Sequence, residues 1–111
     1  MQKDFEIAYE EYLSRFASSI TEEQRTSYRR YALGNRDRGT DVLKTLTTLI
    51  GLDVSGMSCL DVGSGYGGLL LALADRGAKA TGIEYAKELY DLSMINIAGE
   101  SHEIPIYHGM G

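Results

Sequence analysis

Cysteine and proline each occur once in the 111 residues, and tryptophan does not occur at all. A lone Cys59 excludes an internal disulfide and fits a reducing compartment; it is expected to be a small buried residue, not a nucleophile. With Pro105 as the sole proline, no proline-rich linker divides the chain. Positive charge is also scarce: 11 Lys and Arg stand against 16 Asp and Glu, a net charge of −5. General nucleic-acid binding needs surplus cations facing the phosphates, so this balance argues against it. No apolar run approaches the roughly 20 residues needed to span a bilayer. The opening Met1-Gln2-Lys3-Asp4 leads into alternating charged and apolar residues, unlike a signal peptide. The two histidines, His102 and His108, have no partner at metal-ligand spacing, so both are expected at the surface and no metal centre is implied. These absences describe a soluble cytoplasmic protein with no membrane partner.

What the chain does have is a 43% hydrophobic content, enough for a core, and thirteen glycines to punctuate it. The pattern changes near residue 56. Before it, Phe5, Ala8, Tyr9, Tyr12, Leu13 and Phe16 recur at helical spacing and form one apolar stripe. Thr21 followed by Gln24 reads as a capping box opening a second helix. That helix carries Tyr28, Tyr31 and Ala32 on one side and ends at Gly34-Asn35. A third helix is expected from Asp37 or Thr40, with Val42, Leu46, Leu49 and Ile50 facing inward and Gly51 as its stop.

After Met57 the pattern is strand, turn, helix, repeated. Ser58 to Val62 reads as a strand, Gly63 to Gly67 as a glycine-rich turn, and Leu69 to Ala74 as a buried helix closed by Gly77. Lys79 to Glu84 is a second strand, Ala86 to Ile97 a second helix, and Ile104 to His108 a third strand. Alternation of this kind implies parallel strands joined by crossovers. The fold class is therefore α/β, a partial doubly wound parallel sheet preceded by N-terminal helices. Two regions follow: a helical cap over residues 1–56 and a half-domain over residues 57–111.

The chemistry is concentrated in Leu60-Asp61-Val62-Gly63-Ser64-Gly65-Tyr66-Gly67-Gly68. A strand running straight into glycines lets backbone approach a ligand at the strand's C-terminal edge. The helix that follows offers free N–H groups and a partial positive charge. Gly63, Gly65 and Gly68 satisfy the dinucleotide fingerprint, with Glu84 near the ribose-binding position. On glycine spacing alone, a dinucleotide and S-adenosylmethionine are nearly tied. Asp61 separates them. A carboxylate two residues before the first glycine would confront a pyrophosphate with like charge. S-adenosylmethionine has no phosphate and carries a sulfonium and an ammonium group, which a strand-end aspartate favours while it holds the loop amides.

The stretch Cys59-Leu60-Asp61-Val62-Gly63-Ser64-Gly65-Tyr66-Gly67 resembles the first motif of the class I S-adenosylmethionine-dependent methyltransferases, and the resemblance covers roughly residues 57–108. It implies a cofactor site at Asp61, Gly63, Ser64, Gly65 and Gly67. It further implies that Glu84 accepts hydrogen bonds from the ribose hydroxyls and that Tyr85 packs on the adenine. Helices before the first strand often cap the cofactor in similar enzymes, which makes Arg38 the candidate to pair with its carboxylate. The rest of the arginine cluster, Arg25, Arg29, Arg30 and Arg36, is expected to form a solvated face with local salt bridges to Glu22 and Glu23. Tyr66 either touches the cofactor or packs on the first helix.

The implied activity is methyl transfer to a small-molecule acceptor, with the expected strand order third, second, first. In the family a fourth strand pairs beside the first and carries residues near the reacting methyl. Here the sequence runs out at His108-Gly109-Met110-Gly111, so no catalytic residue or general base is named. The expectation is a fragment, or a chain whose missing C-terminal half or self-association completes it. An NAD(P)-dependent oxidoreductase fragment and a non-catalytic cofactor-binding module are the alternatives.

Overall fold

A computed structural model describes residues 2–16 and 19–109, with the side chains of Gln2 and Phe16 undescribed. Phe16 of the N-terminal stripe, and Met110 and Gly111, therefore lie outside the described side chains and residues. Three helices come first: α1 (Gln2–Phe16), α2 (Glu22–Leu33) and α3 (Asn35–Ile50). They are followed by β1 (Ser58–Val62), α4 (Gly68–Asp75), β2 (Lys79–Glu84), α5 (Lys87–Ala98) and β3 (Ile106–His108). The strands form one parallel sheet in the order β1-β2-β3, as the sequence pattern predicts.

Local signals account for many of these boundaries. Thr21 Oγ1 accepts from the Gln24 amide at 3.1 Å, and the Gln24 side chain accepts from the Thr21 amide at 2.9 Å. The reciprocal pair satisfies two backbone donors at the start of α2. Gly51 stops α3 in the left-handed region at φ 66°. β3 is shorter than expected: it begins at Ile106, while Ile104 and Pro105 lie outside it. Proline has no N–H for a ladder, but its carbonyl still accepts from the Gly82 amide at 2.9 Å.

α4 is apolar from Leu69 to Ala74 because it is packed between α3 and the sheet. Its Leu70 and Leu71 are fully buried, and each contributes about 2 kcal/mol of transfer free energy. They join Leu43, Val54, Ala80, Ile97, Ile104 and Ile106 in one core. A second core gathers Phe5, Tyr9 and Leu13 of α1 with Ala32 of α2 and Leu92 of α5.

The expected inward face of α3 is corrected. Leu49 and Ile50 are 74% and 70% exposed, Val42 is exposed, and Leu46 is only half-buried. The buried line is instead Asn35, Gly39 and Leu43. The cause is close contact between α3 and the start of α4: a β-carbon on Gly39 would lie 2.6 Å from the Gly68 carbonyl oxygen. Glycine permits that approach, and α3 turns its smallest residue, not its most apolar stripe, toward α4. The same contact needs α3 to start at Asn35, earlier than the sequence reading placed it. On α2 only Ala32 is buried, while Tyr28 and Tyr31 are exposed.

One face of the sheet is covered. Gly82 faces Leu70 of α4 and Ser64, and Ala80, Glu84 and Ile106 are buried. On the other face Leu60, Val62 and Tyr107 are exposed, and the register Val62–Ile83–Tyr107 sets them in neighbouring positions. β1 is at the edge of the sheet among the described residues.

Candidate functional site

The turn after β1 is built from glycines at backbone angles that side chains disfavour. Gly65 has φ 58° and Gly67 φ 91°. A β-carbon added at Gly65 would meet nothing within 4 Å, so packing does not explain the glycine there. Its reasons are the left-handed backbone and the open space beside it.

Two of the turn's amides are anchored on β2: Gly63 and Ser64 N–H both donate to the Ile83 carbonyl, at 2.8 and 3.1 Å. The Gly65 N–H donates to Glu84 Oε1 at 2.7 Å, and Glu84 Oε2 accepts from the Ala86 amide at 2.9 Å. Glu84 is 3% exposed. A buried carboxylate needs donors to offset its desolvation, and these two supply them while leaving lone pairs on both oxygens. The sequence reading gave Asp61 the task of holding loop amides. The structure gives it to Glu84, since the Gly63, Ser64, Gly65 and Gly67 amides all go elsewhere.

Asp61 sits half-buried on the covered face, level with Gly82. Burial first, and the charge of Glu84 second, hold its carboxyl above the ordinary aspartate range. The ends of β1 and β2 thus bring two carboxylates into mutual repulsion, a field that favours a cation. Ser64 is buried, and its hydroxyl has no hydrogen-bond partner.

Above the turn lies a cleft of about 470 Å³. Gly63, Ser64 and Gly65 form one side, Tyr31 and Arg38 another, with Leu69 and Leu89 among the apolar contributors. The Arg38 guanidinium stacks 3.7 Å from the Tyr31 ring centroid and donates to the Tyr31 carbonyl. Arg38 therefore lines the cleft, engaged with its own neighbour Tyr31. Tyr85 is 68% exposed. A concavity of about 660 Å³ on α1 is lined only by residues from that one helix, such as Glu6, Ile7 and Glu10, and has no strand end beneath it.

Tyr66 packs on α1. Its ring meets Phe5 and Tyr9 edge-on, each at 5.7 Å between centroids; such pairs are worth about 1 kcal/mol each. Burial and a hydrogen bond to Tyr9 push its phenol well above the ordinary tyrosine range. The arginines depart from the expected solvated face. Arg25 pairs with Glu22 at 3.7 Å, but Arg29 binds Glu10 of α1. Arg36 reaches Asp75 at 2.8 Å and Glu100 at 2.7 Å, tying α3 to the ends of α4 and α5. His102 is half-buried against Asp75, 2.9 Å away, and His108 is exposed. Cys59 is half-buried against the main core. No group of residues that could hold a metal ion occurs among the described residues, and no helix among them is long and apolar enough to cross a membrane.

Sequence reasoning missed Asn35, Asn96 and Gly39, which are buried around the turn. Their types carried no signal; only a glycine inside a helical pattern, at Gly39, hinted at a close contact.

A parallel β1-β2-β3 sheet with a glycine turn after β1 and a buried acid ending β2 has the fold of the class I S-adenosylmethionine-dependent methyltransferases. Among solved structures, the chain is similar to a putative S-adenosyl-L-methionine-dependent methyltransferase from Methanococcus maripaludis. That match has 22% identity and TM-score 0.55, covering 68% of this chain and 36% of the other. It is also similar to an S-adenosylmethionine-bound amino pentose methyltransferase from Micromonospora echinaspora, with 22% identity, TM-score 0.54, and coverage of 82% and 36%. A putative RNA methyltransferase from Pyrococcus horikoshii matches at 27% identity and TM-score 0.52, covering 63% of this chain and 34% of its own. The chain thus spans about a third of the length of these structures. No family model matches it, and no curated protein matches it in sequence.

Proposed function

We propose that this chain is the cofactor-binding part of an S-adenosylmethionine-dependent methyltransferase with a small-molecule acceptor, working in the cytoplasm. The observation that carries this reading is the pair of strand-end carboxylates beside an open glycine turn. Glu84 is buried, accepts one amide on each oxygen and has acceptor capacity left, which supports its assignment to the ribose hydroxyls. Burial first, and the charge of Glu84 second, raise the Asp61 pKa, so a cationic ligand relieves a repulsion that a pyrophosphate would aggravate. When bound, S-adenosylmethionine would supply an electrophilic methyl group: its carbon–sulfur bond would break as the acceptor's bond to that carbon formed, with S-adenosylhomocysteine as the leaving group.

The chain's own residues bind and orient. Gly63, Ser64, Gly65 and Gly67 shape the turn against the ligand, Glu84 fixes the ribose, and Tyr85 covers the adenine. Residues 1–56 act as the cap, with Arg38 swinging from the Tyr31 carbonyl to the cofactor's carboxylate. Residues 57–111 form the binding half. Orientation of two reactants, not acid–base chemistry, is what this part contributes.

Titration of the purified protein with S-adenosylhomocysteine and, separately, with NAD tests the reading. Binding of the first and not the second is expected. Tighter binding of NAD would replace the proposal with an oxidoreductase fragment, and binding without turnover in the presence of acceptors would favour a non-catalytic module.

A further inference from the structure

The peptide between Tyr66 and Gly67 is held at one end within the turn, where the Gly67 N–H donates to the Ser64 carbonyl at 3.0 Å. Its other end, the Tyr66 carbonyl, lies between two flexible glycines and takes its partner from outside the turn. The outside hold is Asn96 of α5. Its Nδ2 donates to the Tyr66 carbonyl at 2.9 Å and to Asn35 Oδ1 at 3.1 Å. Asn35 in turn commits its Nδ2 to the Ala32 carbonyl at 2.6 Å, which obliges its oxygen to face Asn96. Asn96 must then present its NH2, and the direction of the whole chain is determined. Both amides are buried, at 4% and 6% exposure.

α5 also presses on the next residue. A β-carbon at Gly67 would lie 3.1 Å from Ile97 Cδ1. The same helix begins just after Glu84, whose carboxylate holds the Gly65 amide. So the two ends of the turn are gripped by one structural unit: Gly65 by the acid before α5, and Tyr66 and Gly67 by Asn96 and Ile97 within it.

We infer that Asn96 is a positioning residue for the ligand-binding turn: by fixing the Tyr66 carbonyl it sets the turn's backbone in the binding geometry before a ligand arrives. This rests on the cofactor reading above, and it assigns the task to a residue distant in sequence and out of the ligand's reach. Preorganisation of this kind lowers the ordering cost of binding. A merely structural Asn96 would affect melting and leave the affinity of the folded protein alone.

The experiment uses the full chain with Asn96→Leu, measured by calorimetric titration with S-adenosylhomocysteine, thermal melting, and amide hydrogen exchange without ligand. Well below the melting temperature, the variant is expected to bind about tenfold more weakly. Its Gly65 and Gly67 amides should exchange faster while the Gly82 amide in β2 does not. Should Asn96→Leu fail to fold, Asn96→Ser is expected to show the same two changes at smaller amplitude. Wild-type affinity and exchange in a folded variant would overturn the inference. A wild-type protein that binds no S-adenosylhomocysteine would refute the cofactor reading instead, and the exchange rates would still decide the role of Asn96.

Discussion

Glu84 Oε1 lies 2.7 Å from the Gly65 amide nitrogen, so the acid that ends β2 is bonded to the turn that follows β1. The bond gives Glu84 two tasks, holding the turn and facing the ligand. Glu84→Ala should therefore cost more than a ribose contact alone. We expect S-adenosylhomocysteine binding to weaken by about 2–3 kcal/mol, the range for losing charge-assisted hydrogen bonds. Glu84→Gln keeps an acceptor for one amide and should lose less. Equal losses in the two variants, measured by calorimetry, would mean that the turn does not depend on the carboxylate.

Gly65 separates ligand approach from packing. Its β-carbon position is empty and its φ is 58°. Gly65→Val should add strain of about 1–2 kcal/mol and fill the space the ligand needs. Cofactor binding should vanish in a variant that still melts cooperatively. Unchanged affinity would leave the turn with a structural role only.

Asp61 predicts a trade between stability and function. Burial and the charge of Glu84 raise its pKa in the folded chain. Between the unfolded and the raised folded value, the native state binds more protons, so stability falls as pH rises through that window. Above it the penalty is fully present. Asp61→Asn should therefore raise the melting temperature near pH 7 and change it little near pH 3, where the carboxyl is protonated in both states. The same variant should bind S-adenosylhomocysteine more weakly. A lower melting temperature near pH 7 would contradict repulsion between Asp61 and Glu84.

Gly39 tests the α3–α4 contact. Alanine normally stabilises a helix interior by about 1 kcal/mol over glycine. Here its β-carbon would stand 2.6 Å from the Gly68 carbonyl oxygen and 2.8 Å from Leu69 Cα. Overpacking against backbone costs about 1–3 kcal/mol, so destabilisation should win. Urea denaturation of Gly39→Ala reads the sign directly.

The edge of β1 and its bare face predict association. Val62 is 67% exposed and Leu60 60% exposed, beside an edge that pairs with nothing among the described residues. Unprotected apolar edges recruit further strands. The 111-residue chain should self-associate and show no methyl transfer alone, and Val62→Lys should shift it toward monomer. Sedimentation velocity with a methyl-transfer assay checks both; a wild-type monomer with turnover would overturn the expectation.

Features that one stretch of backbone decides were legible in the sequence. The capping box at Thr21, the stop at Gly51, the strands Ser58–Val62 and Lys79–Glu84 and the glycine turn between them all follow from residues within a few positions of each other. The position of Glu84 at the end of the second strand follows the same way, but its bond to the Gly65 amide does not, since local sequence pointed to Asp61 for that task. What the tertiary structure alone decided is which residues meet across elements. Apolar spacing on α3 pointed to Val42, Leu46, Leu49 and Ile50, but the helix buries Asn35, Gly39 and Leu43, since close approach to α4 is limited by side-chain volume and not by hydrophobicity. Arg36 found Asp75 and Glu100 instead of Glu22 and Glu23, and Asn96 found Asn35 and Tyr66. A hydrogen-bonding side chain is satisfied by whatever donor or acceptor the packed chain brings to it, and that partner's position in the sequence is set only when the helices dock.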